Sequence, residues 1–283
     1  MGERDVARVF AGLETMDGAG VRLVRMFGNR DSRLLDPFLL LDLFGSEDED
    51  EYLPGFPWHP HRGIETVTYM LSGSVRHGDS MGNSGFIGPG DVQWMTAGSG
   101  IVHEEMPQPS PLGLRGFQLW VNLPRSEKMR DPAYRGFSAR DIPVEPFPGG
   151  EARVIAGSFR SAKGPVRGLA RQPTYVDISL EPEGFVELEA PERETAFACL
   201  YEGGLTAPAI ERGRLPLCLL FGSDGDRIRL RAGREGCSFV FARGEPLREE
   251  IAWCGPIVMN TQAELDLAFR EYEAGTFVKK KAN

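Results

Sequence analysis

Short runs of Val, Ile, Phe, Tyr and Thr recur between glycines and prolines along the whole chain, and this punctuation constrains the fold more than any other feature. With 35 glycines and 21 prolines in 283 residues, long helices are interrupted, whereas runs of roughly four to eight residues bounded by turn formers suit strands. Residues 65–71 (ETVTYML), 91–96 (DVQWMT), 117–123 (FQLWVNL), 175–180 (YVDISL), 227–230 (RIRL) and 237–242 (CSFVFA) are of this kind. The pattern predicts an all-β chain of barrels or sandwiches. Its length exceeds one compact domain and suits two.

A weak internal repeat supports two domains. Residues 65–73 (ETVTYMLSG) lie over 195–203 (TAFACLYEG) at an offset of 130 residues, as two copies of one unit would. At that offset His59 falls on Glu189 and His61 on Pro191, and no histidine follows His103, so any histidine site belongs to the first half. The stretch 126–150 is rich in Pro, Gly and charge, which places a boundary there and predicts domains 1–135 and 136–283. Near the end, Thr261 and Glu264 form a capping-box pattern, followed by Leu265, Phe269 and Tyr272 at helical spacing and then Gly275. A short helix is expected there, packed on a barrel wall of the second domain and followed by a basic tail, residues 279–281.

The opening residues lack a signal-peptide pattern and no apolar run approaches a membrane span, so a cytoplasmic protein without membrane contact is expected. A formal charge of −9 repels a nucleic-acid backbone and argues against direct nucleic-acid binding. The acidic run 47–51 reads as a solvated loop. Cys199, Cys218, Cys237 and Cys254 show no Cys-x-x-Cys spacing and read as small buried apolar residues.

Three of the four histidines fall in two short motifs, His59-Pro60-His61 and His103-Glu104-Glu105. Residues two apart on a strand share a face, so each motif can aim two donor atoms at one point. Imidazole suits iron, zinc, copper and nickel, and a carboxylate adds neutralising charge. Single histidines are more often hydrogen-bonded barrel residues, but two such pairs in a chain this poor in histidine favour a metal site. His77 has no evident paired donor and reads as structural. Gly98-Ser99-Gly100 serves a tight connection into the His103 strand; no Gly-Lys-Ser/Thr follows, which argues against a nucleotide loop. Val67, Tyr69, Met95, Phe117 and Trp120 are candidates for pocket walls.

The runs HPHRGIETV (59–67), PGDVQWMTAG (89–98) and GIVHEEMP (100–107) resemble the signature of the pirin family, with supporting matches at LLDPF (34–38) and GPIVMNT (255–261). The resemblance spans nearly the whole chain. It implies a bicupin fold with one metal ion in the first barrel, held by His59, His61, His103 and Glu105. Iron(II) is the expected ion; manganese, nickel, copper and zinc are also compatible. The general cupin pattern His-x-His-x-x-x-Glu would nominate Glu65 instead, whereas the pirin pattern favours Glu105 and leaves Glu65 to orient a ligand or fill the core. Trp58 stands where many pirins carry a small or acidic residue and is expected to alter the pocket mouth. Family resemblance further implies a dioxygenase acting on a flavonol such as quercetin, with Glu105 as catalytic base. The alternative it implies is a non-catalytic metal- or redox-sensing regulator working through protein partners.

Overall fold

Antiparallel strands dominate the computed structural model, which describes residues 2–206 and 215–280 and contains one α-helix among them, Gln262–Glu273. Contacts divide the chain into two compact units. The histidine-bearing unit comprises Glu14–Ser32, Phe38–Ala139 and the chain from Leu247 onward; its companion comprises the chain up to Leu13, Arg33–Pro37 and Arg140–Pro246. A single cut at 135/136 does not describe this arrangement, because each end of the chain belongs with the opposite half. Strand pairing is the cause. Val6–Ala11 pairs antiparallel with Leu217–Phe221, while the hairpin Ala252–Cys254/Ile257–Met259 is tied to the histidine-bearing unit by Val258 N–H donating to the Arg62 carbonyl at 3.1 Å. The expected helix is present, with the Thr261/Glu264 capping box formed, but it packs on this hairpin through Leu265 and Ala268 and so belongs to the first barrel's unit.

Two larger sheets, besides the Ala252–Cys254/Ile257–Met259 hairpin, build the histidine-bearing unit among the described residues. The larger runs in the order Ala133–Phe137, Val92–Thr96, Ile64–Ser72, Arg115–Asn122, Phe38–Phe44, Val21–Phe27 and Leu13–Asp17; the smaller runs Phe56–His61, Ile101–Pro107, Val75–Asp79 and Ser84–Ile87. Alternation along Ile64–Ser72 decides what can face a ligand. Thr66 lies opposite Trp120 and Thr68 opposite Gln118, so these share one face, whereas Val67 and Tyr69 lie opposite Leu119 and Phe117 on the other. Gly63 shows why the connection before this strand needs glycine: its φ is +79°, and a Cβ there would sit 1.9 Å from the Val258 carbonyl oxygen.

In the companion unit the core is a cluster of aliphatic and aromatic side chains including Val154, Val176, Ile178, Leu219, Phe239 and Phe241. Thr195–Leu205, the strand laid over 65–73 by the repeat, is likewise flanked by two antiparallel neighbours. Segments 227–230 and 237–242 do not form separate strands but parts of one, Arg227–Gly244, whose pairing shifts register opposite Gly203 and Leu205 and so absorbs the intervening residues. Cys199 and Cys218 face each other across two strands and are buried, as is Cys237; Cys254, at the end of its strand beside the hairpin turn, is exposed. Acidic residues 47–51 form an exposed turn from which Glu51 pairs with Arg22. Of the basic tail, Lys279 pairs with Glu271 and Lys280 with Asp131, while Lys281 lies outside the described residues. No helix among the described residues is long and apolar enough to cross a membrane.

Candidate metal centre

The strands Phe56–His61 and Ile101–Pro107 run side by side with His59 opposite His103. Because His59 and His61 project to one face of their strand, all three imidazoles meet. Their ring centroids lie 4.4 to 5.1 Å apart, and one ligand atom from each lies within 4.8 Å of the others. His61 and His103 are buried and His59 half-buried.

Hydrogen bonds fix which nitrogens are available. His59 Nδ1 donates to the Pro57 carbonyl at 2.8 Å and His61 Nδ1 to the Pro256 carbonyl at 3.1 Å. A neutral imidazole that gives its one N–H to a carbonyl presents a lone pair at the other nitrogen. Nε2 of both rings therefore offers a lone pair, and the two stand 3.1 Å apart. Two imidazole nitrogens bound at about 2.1 Å to one ion at right angles would be separated by about 3 Å. Both nitrogens of His103 are buried with no hydrogen-bond partner, an arrangement that costs free energy unless something accepts the ring's lone pair. Burial, and then the neighbouring imidazoles, hold His61 and His103 well below the ordinary histidine range, so both stay neutral and able to ligate. The residues present thus fit a transition-metal ion.

Glu105 lies on the His103 strand beyond an irregularity in pairing. It does not join the three-histidine cluster. Instead Oε1 accepts bonds from Thr68 Oγ1 at 2.8 Å and Gln93 Nε2 at 2.9 Å, and the residue lines the same cavity as His59 and His61. Glu65 points to the other face, where it accepts from Trp94 Nε1 at 3.2 Å and Thr96 Oγ1 at 2.8 Å. Of its two expected places, the core is the one it occupies.

His77 is not partnerless. It is fully buried, 3.4 Å from Asp79 Oδ2, stacked on Tyr134, and its ring centroid lies 5.6 Å from that of His103. The signal was available, since His77-Gly78-Asp79 repeats the two-residue spacing of the other motifs.

A cavity of about 610 Å³ opens beside His59, His61 and Glu105. Of the expected wall residues only Trp120 lines it; Val67, Tyr69 and Phe117 face the other side of the sheet and Met95 belongs to a buried cluster. Trp58, alternating with the inward histidines, is 53% exposed and lies outside the lining, so it does not shape the mouth. Thr68, Gln118, Trp253 and Pro256 are among the further wall residues that the expected set did not include. At the far side Arg25 grips Asp42 at 2.7 and 2.9 Å and Asp17 at 2.8 Å; burial pushes the Asp42 carboxyl up to about 6 against the pull of the guanidinium. Gly98 and Gly100 take φ values of +51° and +134°, as the tight connection requires.

The family model described as Pirin matches residues 20–121, and that of the Pirin C-terminal cupin domain matches residues 175–278. The chain belongs to the pirin family. It is 42% identical over 276 residues to a pirin-like protein of Caulobacter vibrioides, covering 97% of this chain and 99% of that one. Pirin-1 of Arabidopsis thaliana is 41% identical over 277 residues, 95% and 92% of the two chains. The crystal structure described as quercetin 2,3-dioxygenase from Acinetobacter baumannii superposes with a TM-score of 0.87 at 34% identity, over 98% of this chain and 99% of that one. The all-β, two-cupin architecture of this pirin is thereby shared with its relatives.

Proposed function

We propose that this pirin is an iron-dependent dioxygenase acting on flavonols such as quercetin, with one ion held by His59, His61, His103 and Glu105. The observation that carries the reading is the convergence of three imidazoles, one with both nitrogens buried and unsatisfied, where His59 and His61 line a cavity of about 610 Å³, a size ordinary for small-molecule sites. The superposing structure described as a quercetin 2,3-dioxygenase supports the substrate class. An imidazole and carboxylate donor set suits iron. Bound there, the ion would supply Lewis acidity toward a chelating hydroxyketone and redox capacity toward dioxygen.

The protein's own contribution is proton handling and orientation. Thr68 and Gln93 engage Glu105 Oε1, leaving Oε2 to ligate and to take the flavonol hydroxyl proton as general base. Thr68 Oγ1 is also 2.8 Å from Gln118 Oε1, and one hydroxyl has a single proton, so a turn of the Gln118 amide lets Thr68 commit its proton to Glu105. Pro57 and Pro256 carbonyls hold the rings of His59 and His61 in the tautomer that ligates.

The test is metal analysis of protein purified without a histidine tag, coupled to anaerobic quercetin titration and then oxygen uptake. Close to one equivalent of iron per chain is expected, with flavonol loss that requires dioxygen. Both should vanish together in His59→Ala and His103→Ala. Turnover that survives removal of the metal would sink the enzymatic reading. Absence of turnover by fully metallated protein would move preference to regulation through protein partners.

A further inference from the structure

The hairpin Ala252–Cys254/Ile257–Met259 reaches the metal-side cavity with one large side chain, Trp253. Its ring pairs with that of Trp120 at a centroid distance of 5.9 Å and a tilt of 36°, and Trp120 in turn stands edge-on to His61 at 5.0 Å. Both indoles line the cavity and are backed by a buried cluster that includes Leu39, Ile64, Met95 and Ile101. Trp253 Nε1 donates to the Gly255 carbonyl at 2.9 Å, which fixes the ring on its own turn.

The same turn is registered to the histidines. The Pro256 carbonyl accepts a hydrogen bond from His61 Nδ1 at 3.1 Å, and Val258 N–H donates to the Arg62 carbonyl at 3.1 Å. A wall placed this way presents aromatic faces at a constant offset from the metal-binding nitrogens. Across the cavity the one Lys or Arg side chain among the described lining residues, Arg25, is engaged by Asp42 and Asp17, so the cavity offers stacking surface and no free cation for an anionic group. Such a site selects flat, uncharged ring systems.

Building on the flavonol reading above, we propose that Trp253, together with Trp120, is the specificity-determining aromatic wall that holds the ring system of the substrate beyond its metal-binding edge. The wall acts on the part of the ligand that the metal does not touch. Two probes separate the contributions: quercetin, and 3-hydroxy-2-methyl-4-pyranone, which keeps the hydroxyketone edge of a flavonol and lacks its other rings.

Anaerobic titration calorimetry on the metal-loaded protein, with metal content measured on each sample, is the experiment. Trp253→Ala should weaken quercetin binding about tenfold or more while changing pyranone binding less than about twofold at unaltered metal content. Trp253→Phe should restore most of the quercetin affinity, and Trp253→Leu, which fills space without a π face, should not. Unchanged quercetin affinity in Trp253→Ala, or equal weakening of both probes, would overturn the proposal. So would loss of metal in the Ala and Leu variants that accounts for their loss of binding. Parent protein that binds the pyranone but not quercetin would refute the wall while leaving the metal site standing. Parent protein that binds neither would refute the flavonol reading itself.

Discussion

His103 has two buried ring nitrogens and no hydrogen-bond partner for either. An unmade hydrogen bond of this kind costs about 1–3 kcal/mol, so His103→Leu should leave the metal-free protein as stable as the parent or more so. Adding iron should raise the thermal midpoint of the parent and leave that of His103→Leu unmoved, because only a folded state that binds the ion gains from it; a shared rise would show that the ion sits elsewhere. The two glutamates separate in the opposite way. Glu105→Ala should weaken metal retention by more than about 100-fold, beyond the loss typical of a residue that only orients a ligand. Glu65→Ala should leave metal bound and cost about 3 kcal/mol in urea unfolding, since Trp94 and Thr96 lose their buried acceptor. Swapped outcomes would put the wrong carboxylate on the ion. At this scale the sequence was legible where strand periodicity acts alone, which is why His59, His61 and His103 could be read from two-residue spacing. His77 was readable by the same rule through Asp79. Trp253 and Pro256 were not, because they arrive from a distant segment.

Among the elements, the Trp253 hairpin is anchored in part by one buried amine. Lys128 Nζ donates to the carbonyls of Gly63 and Val258 at 2.8 and 2.9 Å and to Asn122 Oδ1 at 2.7 Å, bridging the segment after His61 to the strand after Pro256. Burial pushes this amine down from 10.5 to about 7. A base whose folded pKa lies below its unfolded one costs stability while charged; the cost is full below pH 7 and is relieved between about pH 7 and 10.5, where the unfolded chain binds a proton that the folded chain does not. The difference in unfolding free energy between the parent and Lys128→Met should therefore move in the parent's favour from pH 7 to pH 10. A difference that stays flat would place the Lys128 titration outside that window. The elements themselves were largely foreseen, since turn residues mark strand ends locally. Arg227–Gly244 was read as two strands because glycine signals a turn or a bulge alike, and only the partner strand decides between them.

For the whole molecule, two units were legible from the repeat, but their membership was not. Pairing of Val6–Ala11 with Leu217–Phe221 is a long-range fact that no local pattern announces. Arg4, buried, adds bonds to the Gly222 and Ala190 carbonyls. Deleting residues 1–12 should therefore weaken the companion unit, leaving the Leu217–Phe221 edge open to association, and leave metal content unchanged. All four tryptophans lie in the histidine-bearing unit, so the deletion should make the far-ultraviolet dichroism transition precede the tryptophan fluorescence transition. Coincident transitions would show that the strand does not stabilise one unit selectively. The hairpin has a consequence in time as well. His61 takes its orienting carbonyl from a residue 195 positions later in the chain, which at ribosomal speeds of about 5–20 residues per second emerges roughly 10 to 40 s after it. A nascent chain thus carries His61 without its orienting carbonyl for most of its synthesis, so the full set of ring orientations at the centre belongs to the nearly finished polypeptide.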